Sequence, residues 1–297
     1  MTAPAWAWVV FTLIAATAQT FRNATQRSLT ETLGTAGATH IRFLFGLPFG
    51  LLALAIVAVF AGPLPALTMA TVTWTALGAV SQIVATALML AAMRERSFVV
   101  TTAYTKTEPV QVALFAVVFL GEQVTPVLAA AILVATAGVL ALSWPSKAGG
   151  EIFSWRPAIL GIVSGGLFAF AAVAFRGGIG ALNADYIPAA TVTLALSLAI
   201  QTVLLSAWLW FRDPDVLRGV LRAWRPSLPA GFLGAFASEM WFLAFAIQSP
   251  ARVRTLGLVE ILIAGAISRR LFTQKLSGRD LAGMALVIVG IALLFDS

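Results

Sequence analysis

The sequence predicts an all-α integral membrane protein with ten transmembrane helices arranged as two inverted five-helix repeats. Three observations support this fold class. Of the 297 residues, 60% are hydrophobic and only 10% are charged, whereas soluble domains average about 25% charged residues. The apolar runs, such as LLALAIVAVFAG, do not alternate in polarity as membrane barrel strands do. Polar breaks divide the chain into ten runs, each close to the ~20 residues needed to cross a bilayer.

The polar breaks define ten predicted spans, numbered 1 to 10. They lie at 3–21, 38–61, 67–93, 97–120, 126–143, 157–175, 186–211, 229–248, 251–271 and 279–295. The longest polar stretch between two spans lies at the middle of the chain. We therefore predict a first repeat at 1–145, a linker at 146–156 and a second repeat at 157–297.

Two glutamates inside predicted spans fall in the same register when the second half is moved back by 152 positions. This shift places Glu260 on Glu108, and near the start of each half FRNATQRSL, with Arg22, resembles FRGGIGAL, with Arg176. Since each half has five spans, an odd number, the second half enters the membrane in the opposite direction. Inverted repeats are typical of transporters whose midplane site opens to one side of the membrane at a time.

The stretch TEPVQVALFAVVFLGEQVT resembles the fourth helix of EamA-type members of the drug/metabolite transporter superfamily. HIRFLFGLPFG is similar to the second helix of that family, and LSGRDLAGMALVIVGIALL to its last helix. The resemblance covers the full chain and implies a ten-helix transporter of small molecules. The second half departs from the pattern, because Thr273-Gln274 replace Gly-Glu and Ile261 stands where Pro109 does. The two halves are therefore not expected to behave identically.

Two arguments give opposite orientations for the chain ends. Most Lys and Arg residues lie in loops after odd-numbered spans, whereas the loops after even-numbered spans carry Arg176, Arg252 and Arg254. The positive-inside rule then places both termini outside the cytoplasm. The family resemblance implies cytoplasmic ends, and both orientations stay open. In either orientation, Arg22 and Arg176 are expected to mark the membrane surface.

Charged side chains inside the spans are the main candidates for function. Each costs roughly 2.5–3.5 kcal/mol at the bilayer centre on insertion scales, so it usually faces a cavity or a partner. The predicted substrate-binding residues are Arg42, Tyr104, Lys106, Glu108, Gln111, Glu239 and Trp241, and the candidates for proton coupling are Glu108 and Glu260. Tyr104, Glu108 and Gln111 recur every three or four positions, so we expect them to share one cavity-facing stripe.

Lys106 is expected to find its partner on another helix. It lies two residues before Glu108, about 200° around a helix, so the two side chains point apart. Glu239 and Glu260 are the available carboxylates inside other spans. Glu260 has apolar neighbours on its own helix, which favours a carboxyl that carries a proton; the alternative is a structural ion pair with Lys106 or Arg254.

Two further residues have open interpretations. Pro109 removes a backbone donor, so it is expected to bend its helix and to free the carbonyl of Thr105 for a substrate or water. The alternative is that Pro109 only sets the curvature of the helix. Trp241 lies deep in span 8 and is a candidate for stacking on a ligand, with plain packing as the alternative.

The composition also excludes several classes of protein. The chain has no Cys and one His, which excludes disulfides, thiolate metal sites and His-based metal clusters. It has no phosphate-binding glycine loop and no catalytic constellation, so we expect no enzyme activity, no cofactor and no metal. The net charge of +7 is assigned to basic loops that orient a membrane protein, not to nucleic-acid binding.

We therefore predict a secondary transporter that exports small organic metabolites by alternating access. Amino acids or related zwitterions are favoured, because the candidate site carries both signs of charge. The alternatives are an exporter of lipophilic cations, favoured if carboxylates outnumber cations in the cavity, and a carrier of nucleotide-sugars or other metabolites. A non-transporting membrane scaffold or enzyme is the remaining class. The expected partners are the substrate and the lipid bilayer, with a functional monomer in the inner (plasma) membrane.

Overall fold

The computed structural model describes residues 3–95, 101, 104–143, 155–262 and 278–296, and within these ranges the chain forms helices and no strand. The helices are α1 (Ala7–Leu44), α2 (Leu47–Phe60), α3 (Met69–Glu95), α4 (Glu108–Leu120), α5 (Pro126–Ser143), α6 (Trp155–Gly180), α7 (Tyr186–Arg212), α8 (Pro214–Arg222), α9 (Trp224–Ile247), α10 (Pro250–Leu256) and α11 (Gly278–Phe295). The predicted all-α class is confirmed. The start of span 4, most of the linker, the end of span 9 and Thr273-Gln274 lie outside the described residues.

The helices have the length and composition of membrane spans. Among the described residues, five segments are long and apolar enough to cross a bilayer: Ser28–Phe60, Met69–Glu95, Trp155–Gly180, Tyr186–Arg212 and Trp224–Ile247. Three shorter apolar helices lie at Glu108–Leu120, Pro126–Leu142 and Leu281–Phe295. Large apolar side chains such as Phe60, Val118 and Phe211 are exposed on the outside of the bundle, which is the surface that lipid tails cover.

The first helix is longer than the sequence predicts. Residues 22–32 were expected to form a polar break, but α1 continues through them and changes direction at Gly34, whose φ of 66° lies in the left-handed region. Arg22, Gln26 and Thr30 are four residues apart, so they lie on one face of α1, and all three are buried. The predicted break is wrong because one face of this polar segment packs inside the bundle.

A short helix, α8, occupies part of what the sequence predicts as a loop between spans 7 and 8. The side chain of Asp213 caps its start by accepting a hydrogen bond from the backbone N–H of Val216 at 3.3 Å. Val220, on its inner face, packs against Ile41 and Ala230. The sequence interpretation missed α8 because its apolar face is too short to register as a membrane span.

The packing of the helices shows that the two halves are related by a pseudo-two-fold axis. The most extensive contacts join α3 to α6 and α1 to α9, and exchanging the two halves converts one of these pairs into the other. The pairs α5–α11, α2–α7 and α4–α10 also pack together, and each is converted into itself by the same exchange. Small residues allow the close α5–α11 approach, since a Cβ on Gly138 would lie 2.7 Å from the carbonyl oxygen of Gly283.

Candidate functional site

Two helices are interrupted inside the bundle, one in each half. Helix α4 begins at Glu108, directly after a turn at residues 106–107. Helix α10 ends at Leu256, and residues 257–258 form a turn before Glu260. These two turns fall within one residue of each other when the second half is moved back by 152 positions. Interrupted helices near the midplane are a recurring feature of transporter binding sites, because their backbone ends and polar side chains line a cavity.

The sequence explains both interruptions. Pro109 lies in the first turn of α4, a position that suits a residue without a backbone N–H. The helix is therefore broken at this point, which is a larger distortion than the predicted bend. The carbonyl of Thr105 packs against α6, since a Cβ on Gly165 would lie 2.7 Å from its oxygen. In the second half, Gly257 follows the last residue of α10, and glycine is a poor helix former.

The interruptions bring four charged side chains together as two ion pairs. Lys106 Nζ lies 2.6 Å from Glu260 Oε1, and Arg254 Nε lies 3.1 Å from Glu108 Oε1. All four side chains are buried. Each pair joins a carboxylate of one half to a cation of the other, so the pairs connect the two repeats across the pseudo-two-fold axis.

The turn at residues 106–107 explains why Lys106 and Glu108 both face this cluster. A continuous helix would point the two side chains apart, as the sequence analysis assumed. The change of backbone direction before Glu108 removes that constraint. Of the two partners expected for Lys106, the structure pairs it with Glu260.

Polar and aromatic side chains extend the cluster towards α1 and α9. Gln19 donates from Nε2 to Glu260 Oε2 at 3.1 Å, and its Oε1 accepts from Trp241 Nε1 at 3.1 Å. The guanidinium of Arg254 lies 4.3 Å from the centre of the Trp241 ring and 5.3 Å from that of Phe245. Trp241 was a candidate for stacking on a ligand, and in the structure the guanidinium of Arg254 lies over its ring.

Arg22 is a member of the site that the sequence analysis missed. It is only 2% exposed, and its Nε and Nη2 donate to Asn23 Oδ1 at 3.3 and 2.7 Å. The prediction that Arg22 marks the membrane surface is therefore wrong. Nearly every residue of this segment is polar, so the sequence does not distinguish a buried helical face from a loop here.

The charged cluster surrounds a cavity of about 20 Å³. The described residues that line it are Gln19, Arg22, Asn23, Met89, Thr105, Lys106, Glu108, Phe168, Arg254 and Glu260. This volume has room for about one water molecule, whereas small-molecule sites measure about 300–1,000 Å³. As the described residues line it, the site is closed to an organic substrate, which can enter only if the surrounding helices move apart.

Arg42, also predicted as a binding residue, lies near Arg22, and both arginines of α1 face Gly234 of α9. It is buried, and it donates to Thr86 Oγ1 at 3.3 Å and Ser238 Oγ at 3.4 Å. Gly234 makes room for Arg42, because a Cβ there would lie 3.0 Å from Arg42 Cγ, whereas Arg22 Cδ would be in ordinary contact at 3.7 Å. No carboxylate partner of Arg42 is present among the described residues.

Tyr104 and Gln111 do not share the cavity wall with Glu108, in contrast to the predicted stripe. Tyr104 packs against Gly161 of α6, and Gln111 Nε2 donates to the carbonyl of Ile162 at 3.4 Å. The three-to-four spacing holds only along an uninterrupted helix, and the turn at residues 106–107 separates Tyr104 from the other two residues.

Glu239 lies apart from the cluster. Its Oε1 accepts a hydrogen bond from Thr191 Oγ1 at 2.5 Å. It borders an apolar groove of about 200 Å³ between α2, α7 and α9, which Phe49, Phe232 and Phe236 also line. The structure thus separates Glu239 from Lys106, for which it was one of two expected partners.

A model of the EamA-like transporter family matches residues 6–144 and 155–296. The chain belongs to this family. The match covers two copies of the family unit, so the predicted resemblance and the two-repeat architecture are confirmed. Membership makes the chain a multi-pass membrane transporter of the drug/metabolite transporter superfamily.

Solved structures support the same fold for this EamA-like transporter. One crystal structure aligns with a TM-score of 0.69 at 16% sequence identity, covering 97% of this chain and 94% of that chain. It is one of 29 chains that match. At this level of identity the likeness shows the fold alone. No curated protein sequence matches.

The buried site changes the charge comparison on which the orientation of this EamA-like transporter was predicted. Arg22 was counted with the odd-numbered loops and Arg254 with the even-numbered loops, yet both are buried in the bundle. The count of basic residues therefore falls by one in the odd-numbered loops and by one in the even-numbered loops. Both arginines belong to the site and do not contribute to the positive-inside signal. The direction of the bias is unchanged, and the orientation stays a prediction.

Proposed function

We propose that this EamA-like transporter is a secondary exporter of small zwitterionic metabolites, amino acids or close relatives, working by alternating access. The observation that carries the proposal is the pair of buried ion pairs, Lys106–Glu260 and Arg254–Glu108, at the two helix interruptions. They join the two repeats across a closed cavity. A movement that opens the cavity must separate at least one of them.

A zwitterion suits this cluster because it can replace the partners that opening separates. Its ammonium group can bind a carboxylate that has lost its cation, and its carboxylate can bind the released cation. Without such a replacement, a separated pair would leave a charge buried and unpaired, at a cost of several kcal/mol. The substrate thus lowers the free energy of the opened arrangement more than that of the closed one, which is the requirement for coupling binding to movement.

The same ion pairs support a role of Glu108 or Glu260 in proton coupling. A carboxylate that takes up a proton loses its attraction to the facing Lys106 or Arg254. Protonation would therefore favour separation of the halves, and a proton gradient could drive export. We propose the inner (plasma) membrane as the site of function. We also propose a functional monomer, because the two halves of one chain supply both ion pairs.

Export of lipophilic cations is a second candidate function. Glu239 favours it, because this carboxylate borders the apolar groove between α2, α7 and α9. The charged cavity argues against it. Its described lining includes three cations, Arg22, Lys106 and Arg254, against two carboxylates, Glu108 and Glu260. An excess of carboxylates is the condition that would favour a cationic substrate.

Counterflow in proteoliposomes tests the first proposal. The purified chain is assayed with the twenty amino acids and with a lipophilic cation such as tetraphenylphosphonium, each with and without a pH gradient. We expect at least one amino acid to be exchanged, with uptake that depends on the gradient. Glu108→Gln and Glu260→Gln should each lower uptake about tenfold or more, because each substitution removes the charge from one ion pair.

Glu31→Gln is the matched control, since Glu31 is an exposed carboxylate and its loss should leave uptake unchanged. If both site variants keep wild-type uptake and pH dependence, proton coupling at these residues is wrong. If tetraphenylphosphonium is exchanged and no amino acid is, the second candidate function replaces the first.

A further inference from the structure

Arg22 carries a buried positive charge that the described residues do not neutralise with a carboxylate of its own. Its side chain lines the closed cavity, and its Nη1 is buried and makes no hydrogen bond to any described residue. The amide oxygen of Asn23 takes up Nε and Nη2. The two N–H donors of Nη1 therefore remain for a group inside the cavity.

Each of the two carboxylates on the cavity wall already faces a cation. Glu260 uses Oε1 for Lys106 and Oε2 for Gln19. Glu108 Oε1 lies 3.1 Å from Arg254 Nε, a charge contact in which neither atom makes a hydrogen bond to a described residue. The described cavity wall has three cations and two carboxylates. With the two pairs assigned, Arg22 is the cation that has no carboxylate partner there. Arg42, which also faces Gly234, adds a second positive charge to the same region.

A buried cation without a counter-charge is costly, because its desolvation is not offset by a partner. Such a group persists where a function requires it, and a bound anion is the simplest compensation. The N–H donors left on Nη1 can make charge-assisted hydrogen bonds to a carboxylate. We propose that Arg22 binds the carboxylate of the transported metabolite; the inference rests on the proposed function and names the group of the substrate that this site recognises.

Asn23 and Gly234 adapt the site to this role. Asn23 holds Nε and Nη2 of Arg22, which fixes the orientation of the guanidinium and directs Nη1 away from Asn23. Gly234 has no side chain to separate Arg22 from Arg42. The positive region therefore extends along α9, and the carboxylate at Arg22 gains from the charge of Arg42. Substrates that lack a carboxylate should gain from neither arginine.

Matched acids and amides test the inference on the full chain in detergent. The probes are the twenty amino acids and their carboxamides, which keep the side chain and the ammonium group but lose the carboxylate charge. Binding is measured as the rise in melting temperature with probe concentration, and exchange by counterflow. We expect each acid that binds to do so at least about tenfold more tightly than its amide, the usual range for a charge-assisted hydrogen bond.

Arg22→Gln should abolish this preference by weakening the acids about tenfold or more while leaving the amides unchanged. Arg22→Lys keeps the positive charge but replaces the guanidinium, so it should retain part of the preference for acids over amides. Arg212→Gln, at an exposed arginine, is the control for loss of one positive charge and should behave as the wild type does. Without ligand, Arg22→Gln should melt no lower than the wild type, because the substitution removes an uncompensated charge.

The outcomes separate this inference from the proposed function. If acids and amides bind the wild type equally, or if Arg22→Gln keeps the preference for acids, the role of Arg22 is wrong while transport stands. The comparison of acid with amide uses the wild type alone, so it decides the matter even if Arg22→Gln does not fold. If the wild type neither binds nor exchanges any acid or amide, both proposals fail.

Discussion

The two interrupted helices share their carboxylates and differ in their cations. In the first half, Lys106 lies two residues before Glu108; in the second, Arg254 lies six residues before Glu260. The register that aligns the glutamates places Leu258 on Lys106, and Leu258 is buried in an apolar cluster with Ala135, Val139 and Val287. The repeat relation therefore extends to the carboxylates and not to the cations.

The difference shows how an internal repeat forms an asymmetric site. Each half supplies one carboxylate and one cation, and each cation reaches the carboxylate of the other half. Lys106 is a compact charge on a flexible chain, whereas Arg254 also lies over the aromatic rings of Trp241 and Phe245. The second pair is thus held by packing as well as by charge, and the first mainly by charge.

Leu258→Lys tests the register most severely. If the two halves were equivalent, a lysine at this position would extend the charged cluster. The structure instead predicts a buried cation in an apolar cluster, with a loss of about 5 kcal/mol or more in the free energy of unfolding. Denaturant unfolding in detergent measures the change. Leu258→Met, which conserves volume, should cost less than ~1.5 kcal/mol; a folded Leu258→Lys protein of wild-type stability would contradict the asymmetry.

Lys106→Met removes the cation of the first pair and should destabilise the chain by about 3 kcal/mol. This is the lower end of the range for a broken buried ion pair, because Gln19 still contacts Glu260. The double variant Lys106→Met with Glu260→Met should recover most of the loss, since it leaves no unpaired charge. Thermal and denaturant unfolding of the single and double variants complete the cycle. Additive effects of the two substitutions would show that the pair is not coupled.

Arg254→Lys keeps the charge of the second pair but removes the planar guanidinium from Trp241. We expect a smaller cost, about 1–2 kcal/mol, since a cation over a desolvated indole ring contributes roughly this much. The same unfolding measurements apply. The control is Arg254→Lys in a Trp241→Leu background, where the substitution should cost clearly less. An equal cost in both backgrounds would mean that the ring does not stabilise Arg254.

Most of the fold could be predicted from the sequence, because hydropathy reports which segments face lipid. Span 5 was predicted at 126–143, and α5 covers the same residues. Hydropathy fails where a helix turns its polar side to the interior. The segment with Arg22, Gln26 and Thr30 was taken for a loop for this reason, because nearly all of its residues are polar and none of its faces is marked as apolar.

The sequence predicted only part of the candidate site, since Lys106, Glu108 and Glu260 line the cavity and the other predicted binding residues do not. The register of the repeat aligned Glu108 with Glu260. Both lie inside predicted spans, where an ionisable residue is rarely without function. Helical spacing then misplaced Tyr104, because it assumes a continuous helix. Gln111 lies on the same helix as Glu108, but its side chain donates to α6. Pro109 marked the position of the break, but a proline alone does not distinguish a bend from an interruption.

The contact between Arg254 and Trp241 gives the molecule an optical reporter at its centre. Trp241 is buried, hydrogen-bonded to Gln19 and covered by a guanidinium. Any motion that opens the cavity by drawing α10 away from α9 would change the polarity around the indole ring. In a variant that keeps Trp241 as its single tryptophan, emission wavelength and quenching would follow that motion in real time. The arrangement of the closed site thus supplies its own measure of opening, without an attached dye.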